Sequence, residues 1–209
     1  MHAPIRLIAG LALLSLTFAP SAALAQPGVT ATEIKVGNTN PYSGPLSAYG
    51  THRQGHRRLL QEGQRRRRVN GRKINYITYD DQYSPPKTLE MTRKLVEQDQ
   101  VALIFQPLGT PTNSAIWKYM NDQKVPQLFV ATGATKFGDP QGHPWTMGWQ
   151  PTYQTEGQIY AQYVLKNIPD AKVGVLYQND DSGKDYLKGF RTGSAPPLLE
   201  SSSWSSRTR

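Results

Sequence analysis

Apolar and polar residues exchange places along this chain with two different periods. Glu33–Asn40 (EIKVGNTN) alternates, and so does Lys73–Asp80 (KINYITYD), where Ile74, Tyr76 and Thr78 share one face and Asn75, Ile77 and Tyr79 the other. Two-residue alternation with β-branched and aromatic content predicts strands. Val101–Phe105 (VALIF) and Gln127–Ala131 (QLFVA) are continuous apolar runs, the pattern of strands buried on both faces. Lys172–Tyr177 (KVGVLY) predicts a further strand.

Between these runs the period lengthens. Ser84 followed by Pro85 and Pro86 predicts a helix start, because proline in a first turn removes only an orphan N–H. That helix is expected to reach about Gln98, with Leu89, Thr92 and Val96 in one stripe and Leu95 beside it. Glu90–Lys94 and Arg93–Glu97 are opposite-charge pairs four residues apart. Ile116, Tyr119 and Met120 predict a second helix over Thr112–Met120, after a turn at Gln106–Pro111. Gly133–Pro144 reads as loop. Thr155 with Gln158 forms a capping-box pattern ahead of Ile159, Tyr160, Tyr163 and Val164, and Ser182–Phe190 predicts a last helix. Strands alternating with helices predict an α/β fold with a mainly parallel sheet.

One slot does not fit. Parallel neighbours need a crossover helix, and the place for it between the first two strands is basic. Thr51–Lys73 holds nine Arg and Lys against Glu62, a net +8, and the rest of the chain carries only +1. Leu59, Leu60 and Val69 are its only large apolar residues, so no packing amphipathic helix is expected there. A solvated charged face is one reading. Binding of polyanions or an anionic membrane surface through Arg65–Arg68 is the other. No aromatic is interleaved with these arginines, so nucleic acid is not expected as a partner.

The ends depart from the pattern too. Arg6, the twelve-residue apolar run Leu7–Phe18 and Ala23-Leu24-Ala25 make residues 1–25 read as a secretory signal peptide, with Gln26 as the mature start. Twelve helical residues are too short for a hydrocarbon core about 30 Å thick. Ser194–Arg209 carries six serines and two prolines without periodicity, so 191–209 reads as a tail outside the fold. Cysteine is absent, which removes disulfides, thiolate metal sites and cysteine nucleophiles.

In an open parallel sheet, ligands bind beyond the carboxyl ends of the strands. The loops there are Pro41–Gly50, Gln106–Pro111, Thr132–Phe137 and Gln178–Gly183, rich in small and polar residues. They could bring hydroxyls and backbone N–H groups to a small polar ligand, with Thr110 the best-placed donor before a helix start. Each residue taken singly could equally be a turn former or cap. No G-x-S-x-G, H-E-x-x-H or G-x-x-x-x-G-K-[ST] occurs, and His143 has no serine placed near it, so an enzyme is not expected. Asp80–Asp81 and Asp180–Asp181 could hold a cation but read first as turn residues, and neither a metal nor a cofactor is expected.

GVTATEIKVGNTNPYSGPLSAYG, YDDQYSPPKTLEMTRKLVEQDQV, LGTPTNSAI, VPQLFVATGAT, PWTMGWQPTYQTEG and VGVLYQNDDSGKDYLKGF resemble, in that order, the periplasmic substrate-binding proteins of branched-chain amino acid ABC transporters. The resemblance spans Gly28–Gly50 and Gly71–Phe190. It implies a type I periplasmic binding fold closing by hinge motion, a first lobe over 26–149 and the start of a second over 150–190. It implies an exported, periplasmic, monomeric protein that binds a small amino-acid-like ligand and delivers it to an inner-membrane ABC permease.

It also implies the ligand contacts. Tyr49 stands in the G-P-x-x-x-Y-G loop, Thr110 would take the ligand carboxylate, Gly133 and Thr135 lie in the next strand-to-helix loop, and Ser182 stands where an aromatic is usual. Relatives have an amphipathic helix where 51–68 lies and continue past Phe190. The two anomalies therefore read as out-of-frame segments in a defective fragment, with a genuine truncated variant carrying a basic loop as the alternative, and binding is expected to be weak or undetectable.

Overall fold

The computed structural model describes residues 26–51, Gly55, Arg58, Glu62 and 69–194. The expected signal peptide, Arg65–Arg68 and most of the expected tail lie outside the described residues.

Five strands make one parallel sheet: β1 (Glu33–Asn40), β2 (Lys73–Asp80), β3 (Leu103–Phe105), β4 (Gln127–Val130) and β5 (Thr146–Gly148), in the order β2-β1-β3-β4-β5. The α/β expectation holds. β1 and β2 pair over their full predicted lengths, Glu33 with Lys73 through Asn40 with Asp80. The connection between them contains Gly55, Arg58 and Glu62, whose backbone is helical and which are all exposed.

Strand pleating sorts the side chains. Gly37, Ile77 and Ile104 are in register, and their face receives α1 (Pro85–Arg93) and α2 (Thr110–Asp122). Leu95, Val101, Ile104, Ile116 and Met120 are buried there, with Ile77, Tyr79 and Leu89 packed around them. The opposite face, carrying Val36, Tyr76 and Leu103, is only half-buried. At Gly37 an added Cβ would lie 2.7 Å from Ile104 Cδ1, so glycine lets the sheet and helices close.

The first helix starts where the prolines predict, but its last turn, Lys94–Gln98, widens into a π-helix. That turn shifts the four-residue register, and the expected charge pairs give way to other contacts. Lys94 Nζ stands 4.5 Å over the Tyr79 ring, Arg93 lies 5.6 Å from the Tyr119 ring, and the Tyr119 hydroxyl donates to Glu97 at 2.9 Å.

Four further boundaries differ from expectation. Thr110 and Pro111 are the first residues of α2 rather than part of a turn. β5 lies just beyond the expected loop, and three residues are too few to show alternation. The third helix, α3 (Tyr153–Asn167), is capped by Thr152, whose hydroxyl accepts from the Thr155 N–H at 3.2 Å; Thr155 is inside the helix rather than its cap. The last, α4 (Asp181–Gly193), runs three residues past Phe190 and ends on buried Ser194, so 191–194 belong to the fold rather than to a tail.

Lys172–Tyr177 is not a strand of this sheet. Its alternation is real: Val173, Val175 and Tyr177 pack on Ala161, Leu187 and Phe190, while Leu176 is 97% exposed. No described strand pairs with it, and a ladder needs a partner. Among the described residues no helix is long and apolar enough to cross a membrane.

Candidate functional site

The strand order reverses direction between β1 and β3, and a cavity of about 330 Å³ opens beyond their carboxyl ends. Its floor is fixed by buried amides. Asn38 Nδ2 donates to the Phe105 and Gln106 carbonyls at 2.8 and 3.0 Å, and Asn38 Oδ1 accepts from Asn40 Nδ2 at 2.7 Å. These bonds tie the end of β1 to the end of β3. Asn40, Gln106 and Gly109 line the cavity together with Trp149, Gln150, Tyr153, Gln178 and Ser182.

Three of the five expected contact residues line this cavity. Tyr49, 52% exposed, projects from the tight turn Ser47–Thr51. Thr110 stands at the amino end of α2, only 3% exposed, with its hydroxyl 2.6 Å from that of Thr132. Ser182 is present too, but its hydroxyl donates to Asp180, the N-cap of α4, which also accepts from the Ser182 and Gly183 N–H groups.

Gly133 and Thr135 line a neighbouring hollow instead. An added Cβ at Gly133 would lie 2.6 Å from both the Pro151 carbonyl and Tyr153 Cδ1, so this glycine lets the Tyr153 ring close in. The Thr135 N–H donates to Asp185 Oδ2 at 2.7 Å. Its hydroxyl is buried without a hydrogen-bond partner among the described residues.

Periodicity and turn chemistry did not single out Tyr83, Thr132, Trp149 or Tyr153. Thr132 accepts from the Ala134 N–H at 3.1 Å and donates to the Tyr153 hydroxyl at 3.3 Å, which continues the chain that starts at Thr110. Tyr83 follows Gln82 in a turn where both residues are left-handed, φ 58° and 52°. Two carboxylates hold that turn: Asp80 accepts from the Gln82 N–H at 3.0 Å and Asp81 from the Tyr83 N–H at 2.9 Å. The sequence signal was the doubled acid before Gln82-Tyr83, which reads as turn chemistry.

The lining carries no Asp, Glu, Lys, Arg or His among the described residues. The acidic pairs do other work. Burial pushes Asp80 up, but hydrogen bonds from Ser43, Tyr42 and Gln82 outweigh it and hold its carboxyl low. Burial pushes fully buried Asp81 up, against hydrogen bonds from Tyr83 and Thr88. Burial also pushes the Tyr83 phenol up to about 12. His143 stacks on Trp117 at 3.6 Å, with Nδ1 3.3 Å from Asp139. Among the described residues, no three metal-ligating groups cluster. An uncharged cleft with aromatic walls and an electropositive helix end can hold a small anionic or zwitterionic solute.

A family model described as periplasmic binding protein matches residues 33–194. The Leu/Ile/Val-binding protein of Escherichia coli K12 is 21% identical over 164 residues, 78% of this chain and 44% of its own length. A crystal structure of a possible leucine/isoleucine/valine-binding protein from Rhodopirellula baltica superposes with TM-score 0.72 at 22% identity, covering 84% of this chain and 46% of that one. The branched-chain amino acid transporter substrate-binding protein LivJ from Streptococcus pneumoniae, in complex with isoleucine, superposes with TM-score 0.67 at 26% identity, covering 78% and 47%. The chain thus spans about half the length of the relatives it matches.

Proposed function

Because this chain belongs to the periplasmic binding protein family, we propose that it is an exported solute-binding component of an ABC import system for branched-chain or related small amino acids. It binds its ligand reversibly, with no bond made or broken. The observation that supports this most directly is the cavity at the strand-order switch point, lined by Thr110 at the amino end of α2 together with Trp149, Tyr153 and Ser182. The relative matched here at 26% identity holds isoleucine.

In this reading the ligand carboxylate lies at Thr110. The Thr132 hydroxyl turns to donate to Thr110 Oγ1, which frees the Thr110 proton for the carboxylate. Tyr49 and Trp149 cover the aliphatic body. Residues 26–149 are the first lobe and residues from 150 begin the second. The protein works as a periplasmic monomer that hands its ligand to an inner-membrane permease, without cofactor or metal.

Calorimetry and NMR titration of the full chain with leucine, isoleucine and valine test the reading. Binding of at least one, weakened about tenfold or more by Thr110→Val, is expected, the scale of a hydrogen bond to a charged group. No binding of any of the three overturns it.

A further inference from the structure

Among the described residues, no side chain caps the amino end of α2. Its N-cap residue is Gly109, and Pro111 in the first turn brings no N–H. The group that comes to this helix end is the Tyr83 phenol, from a loop 26 positions away in sequence. The ring sits directly on Gly109, where an added Cβ would lie 2.4 Å from Tyr83 Cε2 and 2.9 Å from Cζ. Both residues line the cavity.

Two features make this placement costly unless it is used. Gly109 has φ 100° and ψ 152°, a conformation open to glycine, and Tyr83 itself is left-handed at φ 58°. The turn that aims the ring is held by the Asp80 and Asp81 carboxylates.

We propose that Tyr83 is a head-group specificity residue of the cleft: its hydroxyl joins Thr110 in donating to a ligand carboxylate, and its ring on Gly109 closes the space beyond that carboxylate to anything bulkier. This rests on the reading that the cleft binds a small carboxylate-bearing solute. Because burial holds the phenol protonated to about pH 12, Tyr83 remains a donor through the working pH range. A carboxylate accepts from Tyr83 and Thr110 together. An amide accepts more weakly, and an ester carries an alkyl group into the ring.

The test is titration of the full chain, wild type against Tyr83→Phe and Tyr83→Leu, with leucine, leucinamide and leucine methyl ester, and with the isoleucine set. Tyr83→Phe is expected to weaken the acids about tenfold and the amides by about threefold or less, lowering the acid-to-amide preference. Tyr83→Leu is expected to lower that preference equally and to admit the methyl esters that wild type rejects. Equal weakening of acid and amide by Tyr83→Phe, with esters still rejected by Tyr83→Leu, overturns the role of Tyr83 while leaving the functional reading intact. Failure of wild type to bind any acid removes the functional reading, and this inference falls with it.

Discussion

The Thr110 hydroxyl lies 2.6 Å from the Thr132 hydroxyl, although Thr110 begins α2 and Thr132 lies in the loop after β4. Both are almost fully buried, and Thr132 also accepts from the Ala134 N–H. The Thr132 hydroxyl therefore decides whether the Thr110 proton is held internally or offered to the cleft. Thr132→Val removes the partner and keeps the shape. It should cost about 1–3 kcal/mol of stability, the penalty of stranding a buried polar group, and weaken ligand binding at the same time. Urea denaturation and calorimetry on one variant check both; a variant as stable and as tight-binding as wild type contradicts the coupling.

Gly109→Ala meets three obstacles: a left-handed φ of 100°, the Tyr83 ring 2.4 Å from the new Cβ, and Thr112 Oγ1 at 2.7 Å. Backbone strain of this kind is worth about 1–3 kcal/mol. The measured loss should shrink in the double variant with Tyr83→Ala, because the clash with the ring vanishes while the backbone strain and the Thr112 contact remain. A double-mutant cycle on denaturation free energies reads the difference.

Asp81 is fully buried, and burial raises its carboxyl above 3.8 despite hydrogen bonds from Tyr83 and Thr88. The folded state then holds that proton more tightly than the unfolded chain. Its contribution to stability falls as pH rises from below 3.8 through the raised folded value, and is level above it. Asp81→Asn should abolish that fall. Stability curves from pH 3 to 7 for both proteins test this, and identical slopes would rule it out.

Lys136 Nζ meets Asp181 at 2.7 Å, while the Thr135 N–H and Gln154 Nε2 donate to Asp185 at 2.7 and 2.8 Å. The Lys136 and Thr135 bonds join the loop after β4 to α4, and the Gln154 bond joins α3 to it. The Lys136 hydrogen bond is the main reason the Asp181 carboxyl sits below 3.8. The pair's contribution is present above 3.8 and is lost as pH falls through the lowered value. Asp181 is largely exposed, so salt should screen most of it. NMR titration of Lys136→Ala should return the Asp181 carboxyl towards 3.8, and high salt should do the same in wild type; an unmoved value would show that Lys136 is not the cause.

How far the chain could be read depended on how local each feature is. Lys73–Asp80 was legible to the residue because alternation along eight positions is imposed by the pleat itself. Thr146–Gly148 was not, because three residues carry no period and the strand exists through pairing with β4. Lys172–Tyr177 has the alternation of a strand without a described partner to make it one. At the site, Tyr49, Thr110 and Ser182 could be named from loop position and family resemblance, and all three line the cavity. Tyr83 and Tyr153 could not, since what distinguishes them is the glycine each ring rests on, Gly109 and Gly133, far away in the chain.

By itself, then, the sequence determined β1 to β4 and the four helices, the cysteine-free chemistry and the loops at the carboxyl ends of those strands. Periodicity, caps and turns are short-range consequences of backbone geometry. Tertiary structure decided which loops share a cleft, that Thr110 begins a helix instead of lying in a turn, and that a tyrosine from the β2–α1 loop packs on Gly109 in the cavity lining. Those outcomes depend on strand order and on side chains meeting bare glycine backbone, and no local pattern records which distant residues will be brought together.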